Sequence, residues 1–573
     1  MRTSLARTTL VVCGLVTLGM SVPAQLPAEA ATTGTATAGA EQAYVVVADS
    51  TATVNQAVAA VTGAGGTVTS VDGDLGVVTA TSARTDFATR VDAGAGVLGV
   101  ARNQVLGSLP KTDPADAELR QAAQKAAASA AADPARRGKK GPAAEPLAAL
   151  QPDMQMIGAT ASGSYAVQPG RRGVLVGVLD SGIDGNHPDI KPNYDRDLSR
   201  NFVTDIPAID GPCEHPSCVD PVDEDDDGHG THVAGTIASP INGVGIAGVA
   251  PGVTLVNIRV GQDSGFIFLE PALKALKYAG DIGVDVVNMS FYIDPWLFNC
   301  QANPADSPAE QAEQRTIVAA TQRALDYAHA RGVTLVAALG NEHEDLGNPL
   351  PDLTSPDYPA AKAHPRTIDN ATCLSMPTEG RHVISVASIG YSGKKADYSN
   401  HGLEQNDVSA PGGFFRDYAG TARTRTVDNL VLAPMPHNVA LLSGSIDLTT
   451  GESTDPFVVS SCSAPGPDHC AYWQYLQGTS MASPHAAGVA ALIVSQYGER
   501  DERHPGLRMD PDKVEEILKE TATDVACPQP ALISYAAEGR PAEFDAQCVG
   551  TSERNSIYGD GIVNALRAVS RHR

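Results

Sequence analysis

From residue 174 onward the chain repeats one pattern: a short, wholly apolar run, then a longer amphipathic stretch, then another apolar run. The apolar runs lie at 174–179, 253–260, 284–289, 333–339 and 383–388. Strands with no polar face have to be covered on both sides, and helical stretches at 231–238, 268–280, 312–330 and 480–497 supply the cover. The prediction is an α/β fold, a doubly wound, mostly parallel sheet with helices on both faces. In such a sheet the ligand crevice lies at the carboxyl ends of the strands. Functional residues therefore belong just after the apolar runs.

The first run ends on a carboxylate and a tight turn, Asp180-Ser181-Gly182. A second signal, Asp227-Gly228-His229-Gly230-Thr231-His232, sets a histidine between two glycines at the mouth of a small-residue helix, where backbone can approach the ring closely. His229 and His232 lack the H-E-x-x-H spacing of a metal site. The third signal, Gly478-Thr479-Ser480-Met481-Ala482-Ser483-Pro484, puts a serine at the start of a helix packed through Ala and Gly. Pro484 fits there because first-turn N–H groups have no intrahelical acceptor. The same helix end favours the negative charge that develops when Ser480 attacks a carbonyl.

These three motifs, in the order Asp, His, Ser, resemble those of the subtilisin-like serine peptidases, the subtilases. An α/β-hydrolase would run Ser, Asp, His, and a chymotrypsin-like enzyme His, Asp, Ser. The resemblance extends over roughly residues 150–566, with insertions near 294–311, 361–381 and 413–471. Further matching segments include Asn288-Met289-Ser290, Gly340-Asn341-Glu342, Ser409-Ala410-Pro411-Gly412 and Tyr558-Gly559-Asp560-Gly561.

The resemblance implies a secreted serine endopeptidase working through an acyl-enzyme. Ser480 is then the nucleophile, His229 the general base and acid, Asp180 the carboxylate that orients the imidazole, and Asn341 the oxyanion-hole amide. Substrate-binding positions carried over are Ser290, Ala338, Leu339 and Gly340. Tyr292 departs from the family's small residue two places after Ser290 and would narrow the pocket. Catalysis needs no cofactor, whereas Asp189 and Asn242 match positions that hold a structural calcium in many subtilases. The acidic run 223–227 lacks the register of an EF-hand loop and reads as solvated. An exopeptidase of the tripeptidyl peptidase kind would use the same scaffold with one end of the cleft blocked. A silent binding protein would need a broken triad, and the triad is complete.

The N-terminal part reads separately. Residues 1–30 carry Arg2, Arg7, an apolar run and Ala28-Glu29-Ala30, the pattern of a signal peptide. Residues 40–105 alternate β-like runs with two helical segments, a small α+β (ferredoxin-like) unit resembling an inhibitor-type propeptide. Residues 106–150, with the basic stretch 136–140, read as a linker and processing region, and 151–573 as the peptidase domain. Cys13 would leave with the signal, so eight of the nine cysteines remain for disulfides. Proximity suggests Cys213 with Cys218, Cys462 with Cys470 and Cys527 with Cys548, leaving Cys300 with Cys373, although eight cysteines allow about 105 connectivities. The net charge of −25 argues against nucleic acid. The expected partners are polypeptide substrates and the chain's own propeptide, acting on an extracellular monomer with no membrane contact after signal removal.

Overall fold

The structure, a computed structural model, describes residues 38–103, 105–108, 145–291, 296–356, 362–500 and 506–571. The signal segment, the basic stretch 136–140 and Tyr292 lie outside the described residues.

The N-terminal unit runs β1 (Ala38–Ala48), α1 (Val54–Gly63), β2 (Thr67–Asp72), β3 (Val77–Arg84), α2 (Phe87–Asp92) and β4 (Val97–Arg102). Its antiparallel sheet has the order β2-β3-β1-β4, which is the ferredoxin-like arrangement. Alternation along β1 sends Tyr44, Val46 and Ala48 into the unit's own core with Val61 and Phe87. Val45 and Val47 point the other way and join Leu273, Ile317 and Ala320 of the larger unit. From Tyr44 to Ala48 both faces of β1 are thus buried, and that stretch is apolar throughout for that reason. A charged pair pins the contact: Arg102 meets Glu313 at 3.0 Å, and Glu313 is only 7% exposed. The chain then continues into β5 (Val105–Ser108).

The larger unit holds a seven-stranded sheet. Its elements begin with β6 (Leu175–Leu179), β7 (Arg200–Asn201), α3 (His229–Ala238), β8 (Thr254–Arg259), β9 (Phe266–Phe268), α4 (Leu269–Ile282) and β10 (Val286–Met289). They continue with α5 (Pro308–His329), β11 (Thr334–Ala338), β12 (Val383–Ile389) and β13 (Val408–Pro411). The strand order is β13-β12-β11-β10-β6-β8-β7, every pair parallel. The winding reverses between β6 and β10, and the crevice opens there at the carboxyl ends. The five predicted strands appear within two residues of their expected ends; the two edge strands, β7 and β13, are too short to show as apolar runs.

The 413–471 insertion contributes β14 (Val431–Met435), α6 (His437–Leu442) and β15 (Val458–Cys462), and β16 (Cys470–Leu476) closes an antiparallel sheet of order β14-β16-β15. It leads directly into α7 (Thr479–Tyr497), whose residues 479–495 are all buried, as expected for a helix without a polar face. Four disulfides join Cys213–Cys218, Cys300–Cys373, Cys462–Cys470 and Cys527–Cys548. Among the described residues no helix is long and apolar enough to cross a membrane.

Candidate active site

Strand β6 delivers Asp180 to the crevice, fully buried. One oxygen, Oδ1, accepts the Ser181 N–H and the His229 Nδ1–H, each at 2.8 Å, while Oδ2 has no partner. His229 is the first residue of α3, which begins two residues before the predicted start at 231. Two glycines make that start possible. Gly228 caps the helix at φ 94°, and a Cβ on Gly230 would lie 2.2 Å from the Gly182 carbonyl.

A second carboxylate fastens the turn to the helix. Asp225, 1% exposed, accepts the Ser181 hydroxyl and the Gly228 N–H on Oδ1, both at 2.9 Å. Its Oδ2 accepts the Thr231 N–H at 3.0 Å and the Thr231 hydroxyl at 2.5 Å. The Ser181 oxygen in turn accepts the Gly230 N–H at 3.0 Å. Here the structure corrects the reading of 223–227 as a solvated loop: Asp225 is core, and burial pushes Asp226 up to about 7 and Asp227 up to about 6. A run of acids reads as surface because charge is costly to bury, and only the folded donors around Asp225 repay that cost. For His229, burial pulls the imidazole down. The charge and hydrogen bond of Asp180, with Asp227 and Asp225 behind them, outweigh burial and hold it above its ordinary value.

Ser480 sits in the first turn of α7, where its N–H has no intrahelical acceptor. Its hydroxyl donates to the Ser290 carbonyl at 3.2 Å, and His229 Nε2 is buried without a partner. Asn341 lies just beyond β11. Its Oδ1 accepts the Thr479 N–H and hydroxyl, both at 2.9 Å, which leaves Nδ2 as the free donor beside the start of α7. Thr479, which sequence reasoning passed over as a motif neighbour, is therefore what orients the amide. Replacing Asn341 by alanine is expected to lower kcat by about 10²–10³-fold with little change in KM, a magnitude taken from subtilisin. Steady-state kinetics on a peptide substrate check it.

The remaining predicted residues fall differently. Ser290 is fully buried, its hydroxyl bonded to Asn288, Ser483 and the Ser480 carbonyl, so the side chain braces α7 against β10 and offers no surface to a substrate. Leu339 packs with Phe298 and Leu346, and Ala338 is 6% exposed. Of this wall only Gly340 is partly open.

Asp189 and Asn242 come together, but not as a cation cage. Asp189 Oδ2 accepts the Ile246 N–H at 2.9 Å and the Trp473 indole N–H at 2.8 Å, leaving Oδ1 alone unpartnered. Asn242 accepts from Val244 and donates to the Pro188 carbonyl, and the neighbouring Gly243 N–H points at Glu145. Calcium takes six to eight oxygens, whereas this loop presents N–H donors. These residues do not fit the ion, and burial instead pushes Asp189 up to about 7.

A carboxylate, an imidazole and a helix-borne hydroxyl in that chain order, on a doubly wound parallel sheet, define a serine-type peptidase. The family model described as the Subtilase family matches residues 171–550, and the chain belongs to that family. It is 26% identical to subtilisin DY of Bacillus licheniformis over 324 residues, 56% of this chain and 77% of that one. To subtilisin E of Bacillus subtilis (strain 168) it is 27% identical over 324 residues, 56% of each. Among solved structures it is similar to the epidermin leader peptide processing serine protease of Staphylococcus aureus, with TM-score 0.58 and 21% identity over 93% of this chain and 99% of that one. Fervidolysin of Fervidobacterium pennivorans, a keratinolytic enzyme related to subtilisin, gives 0.53 and 20% over 93% and 61%. At these identities the structural likeness establishes the fold.

Proposed function

We propose that the chain is a secreted serine endopeptidase, made as a precursor whose N-terminal unit is the first occupant of its own cleft. The observation that carries this reading is β5. It pairs antiparallel with β9, Val105 opposite Phe268 and Ser108 opposite Phe266. Strand β9 lies close to the triad, because Gly261 bridges to Ile267 and its N–H donates to the Asp180 carbonyl at 3.0 Å. An extended peptide that adds a strand to an exposed edge is a general mode of peptide capture, and a substrate would use the same edge.

The chemistry follows from the geometry. Ser480 Oγ attacks the scissile carbonyl as His229 Nε2 takes its proton, and Asp180 stabilises the imidazolium. The oxyanion meets Asn341 Nδ2 and the Ser480 N–H. His229 then protonates the leaving amine, and water, deprotonated by the same nitrogen, releases the acyl group.

The test is conversion of the purified precursor. The tethered segment is presented at high effective concentration, so conversion should be independent of dilution, with a first cut from Leu106 onward. Intact mass against time over a hundredfold dilution measures it. A rate falling in proportion to concentration overturns the intramolecular first cut, and product sequencing on a mixed peptide library that shows only terminal trimming overturns endopeptidase action.

A further inference from the structure

Away from the active site, three segments that are distant in the chain bring two imidazoles and a carboxylate together. His329 ends α5, His382 directly precedes β12, and Asp512 lies in the first turn of α8 (Pro511–Thr521). The two rings are stacked, with centroids 3.8 Å apart and planes 15° from parallel. His329 Nε2 lies 2.9 Å from Asp512 Oδ1. His382 holds its place at φ 70°, a left-handed conformation that side-chain-bearing residues seldom adopt. Strain of this kind persists only where the surrounding structure fixes it, and it collects at functional positions.

The fold does not use the His382 ring for hydrogen bonding. Its Nε2 is 3.8 Å from Asp326 Oδ1, beyond hydrogen-bond reach, and Asp326 is already taken by Gln322 at 2.8 Å and by Arg381 at 2.7 Å. The cations beside the group are likewise committed, Arg381 to Asp326 and Lys513 to Glu516. Among the described residues no lysine or arginine pairs with Asp512, so the space between the two rings and this carboxylate has no resident positive charge.

The distances suit an ion. A ring nitrogen of each histidine and an oxygen of Asp512 all lie within 4.8 Å of one another. Tetrahedral bonds of about 2.0–2.2 Å set donors about 3.4 Å apart, a gap that small side-chain rotations close. The His382 and Asp512 side chains, 37% and 71% exposed, have room for them. Two imidazole nitrogens with one carboxylate oxygen suit zinc and its borderline neighbours, whereas calcium takes six to eight oxygens.

We infer that His329, His382 and Asp512 form a binding site for a transition-metal ion of zinc's class, with water completing the coordination. The ion would clamp the end of α5, the entry to β12 and the start of α8. Unfolding separates these three segments, so the ion binds the folded chain preferentially and stabilises it.

Zinc binding to the full-length, untagged Ser480→Ala protein, first stripped with a chelator that is then removed, tests this without relying on activity. Calorimetric titration with zinc chloride should give one saturable site, and the melting temperature should rise by several degrees. Excess calcium chloride should not compete. His382→Asn and Asp512→Asn should each weaken binding by about tenfold or more, since loss of even an outer partner of a metal ligand costs that much. Both side chains are solvent-accessible, and asparagine tolerates the left-handed backbone at 382, so folding is not at stake. His329→Ala should act in the same direction, and His215→Asn, at an exposed histidine elsewhere, should leave binding intact. Absence of saturable zinc binding overturns the inference. So does binding that survives the change at His382 or Asp512, that calcium displaces, or that is lost with His215→Asn.

Discussion

Alanine at Ser480 will lower peptide turnover by about 10⁶-fold, the size of loss known for the serine of subtilisin. In the proposed mechanism the Ser480 oxygen is the atom that becomes covalently bonded to the acyl group. Ser483 is close in sequence, but its oxygen is committed to Ser290 at 2.8 Å. Folding should be unaffected, because the side chain makes one hydrogen bond, to the Ser290 carbonyl, worth about 1 kcal/mol. A slow residual rate will persist, since Asn341 and the α7 N-terminus still stabilise the oxyanion of a direct water attack. Fluorogenic peptide hydrolysis, labelling by a serine-directed phosphonate and intact mass of the precursor measure the three consequences. Turnover within a hundredfold of the unaltered protein, with the melting temperature unchanged, would remove Ser480 from the nucleophile's role.

How much of this was readable from the sequence depends on where each residue's partners lie. The triad stood out because each member follows or opens an element whose type is written locally: an apolar run before Asp180, glycines around His229, small residues after Ser480. Strands β6, β8, β10, β11 and β12 were legible for the same reason, being apolar on both faces. The two edge strands were not, since β7 spans only Arg200–Asn201 and β13 ends on Pro411. The 413–471 insertion was opaque because its strands pair across long gaps, Val431 with Leu476 and Val458 with Gln474. That sheet matters to the site. Asn438 at the start of α6 donates to the Asp225 carbonyl and to Asp226, so the insertion supports the loop that carries His229.

Asp189 shows the opposite failure. A motif match placed it correctly beside Asn242, but the side chain that decides its chemistry is Trp473, 284 residues away in the chain. No local pattern announces that an indole N–H will occupy the carboxylate. Asp225 illustrates the same limit for charge: within Asp223-Glu224-Asp225-Asp226-Asp227 nothing in the sequence marks the middle residue as the one that turns inward.

Changing Asp180 to asparagine separates the two roles proposed for the carboxylate, orienting the imidazole and supplying charge. Oδ1 receives two N–H groups, from Ser181 and His229, and Oδ2 receives none. In the variant the Ser181 N–H selects the amide oxygen for the Oδ1 position, because an NH₂ group there would face two donors. His229 therefore keeps its proton on Nδ1, and the lone pair on Nε2 remains available. What disappears is the negative charge that stabilises the imidazolium in the transition state, and kcat is expected to fall by about 10⁴-fold with KM little altered, again on the scale known for subtilisin. The pH profile distinguishes this account from a change of tautomer. Catalysis needs neutral His229, so activity is lost as pH falls through its pKa. In the unaltered enzyme that midpoint should lie above about 6.5, because Asp180 outweighs burial. With asparagine the burial penalty stands unopposed by that charge, and the acid limb of kcat/KM should move to lower pH. A loss of activity with the acid limb unmoved would show that Asp180 does not set the protonation of His229, and a loss of less than tenfold would show that its charge is not used in the transition state.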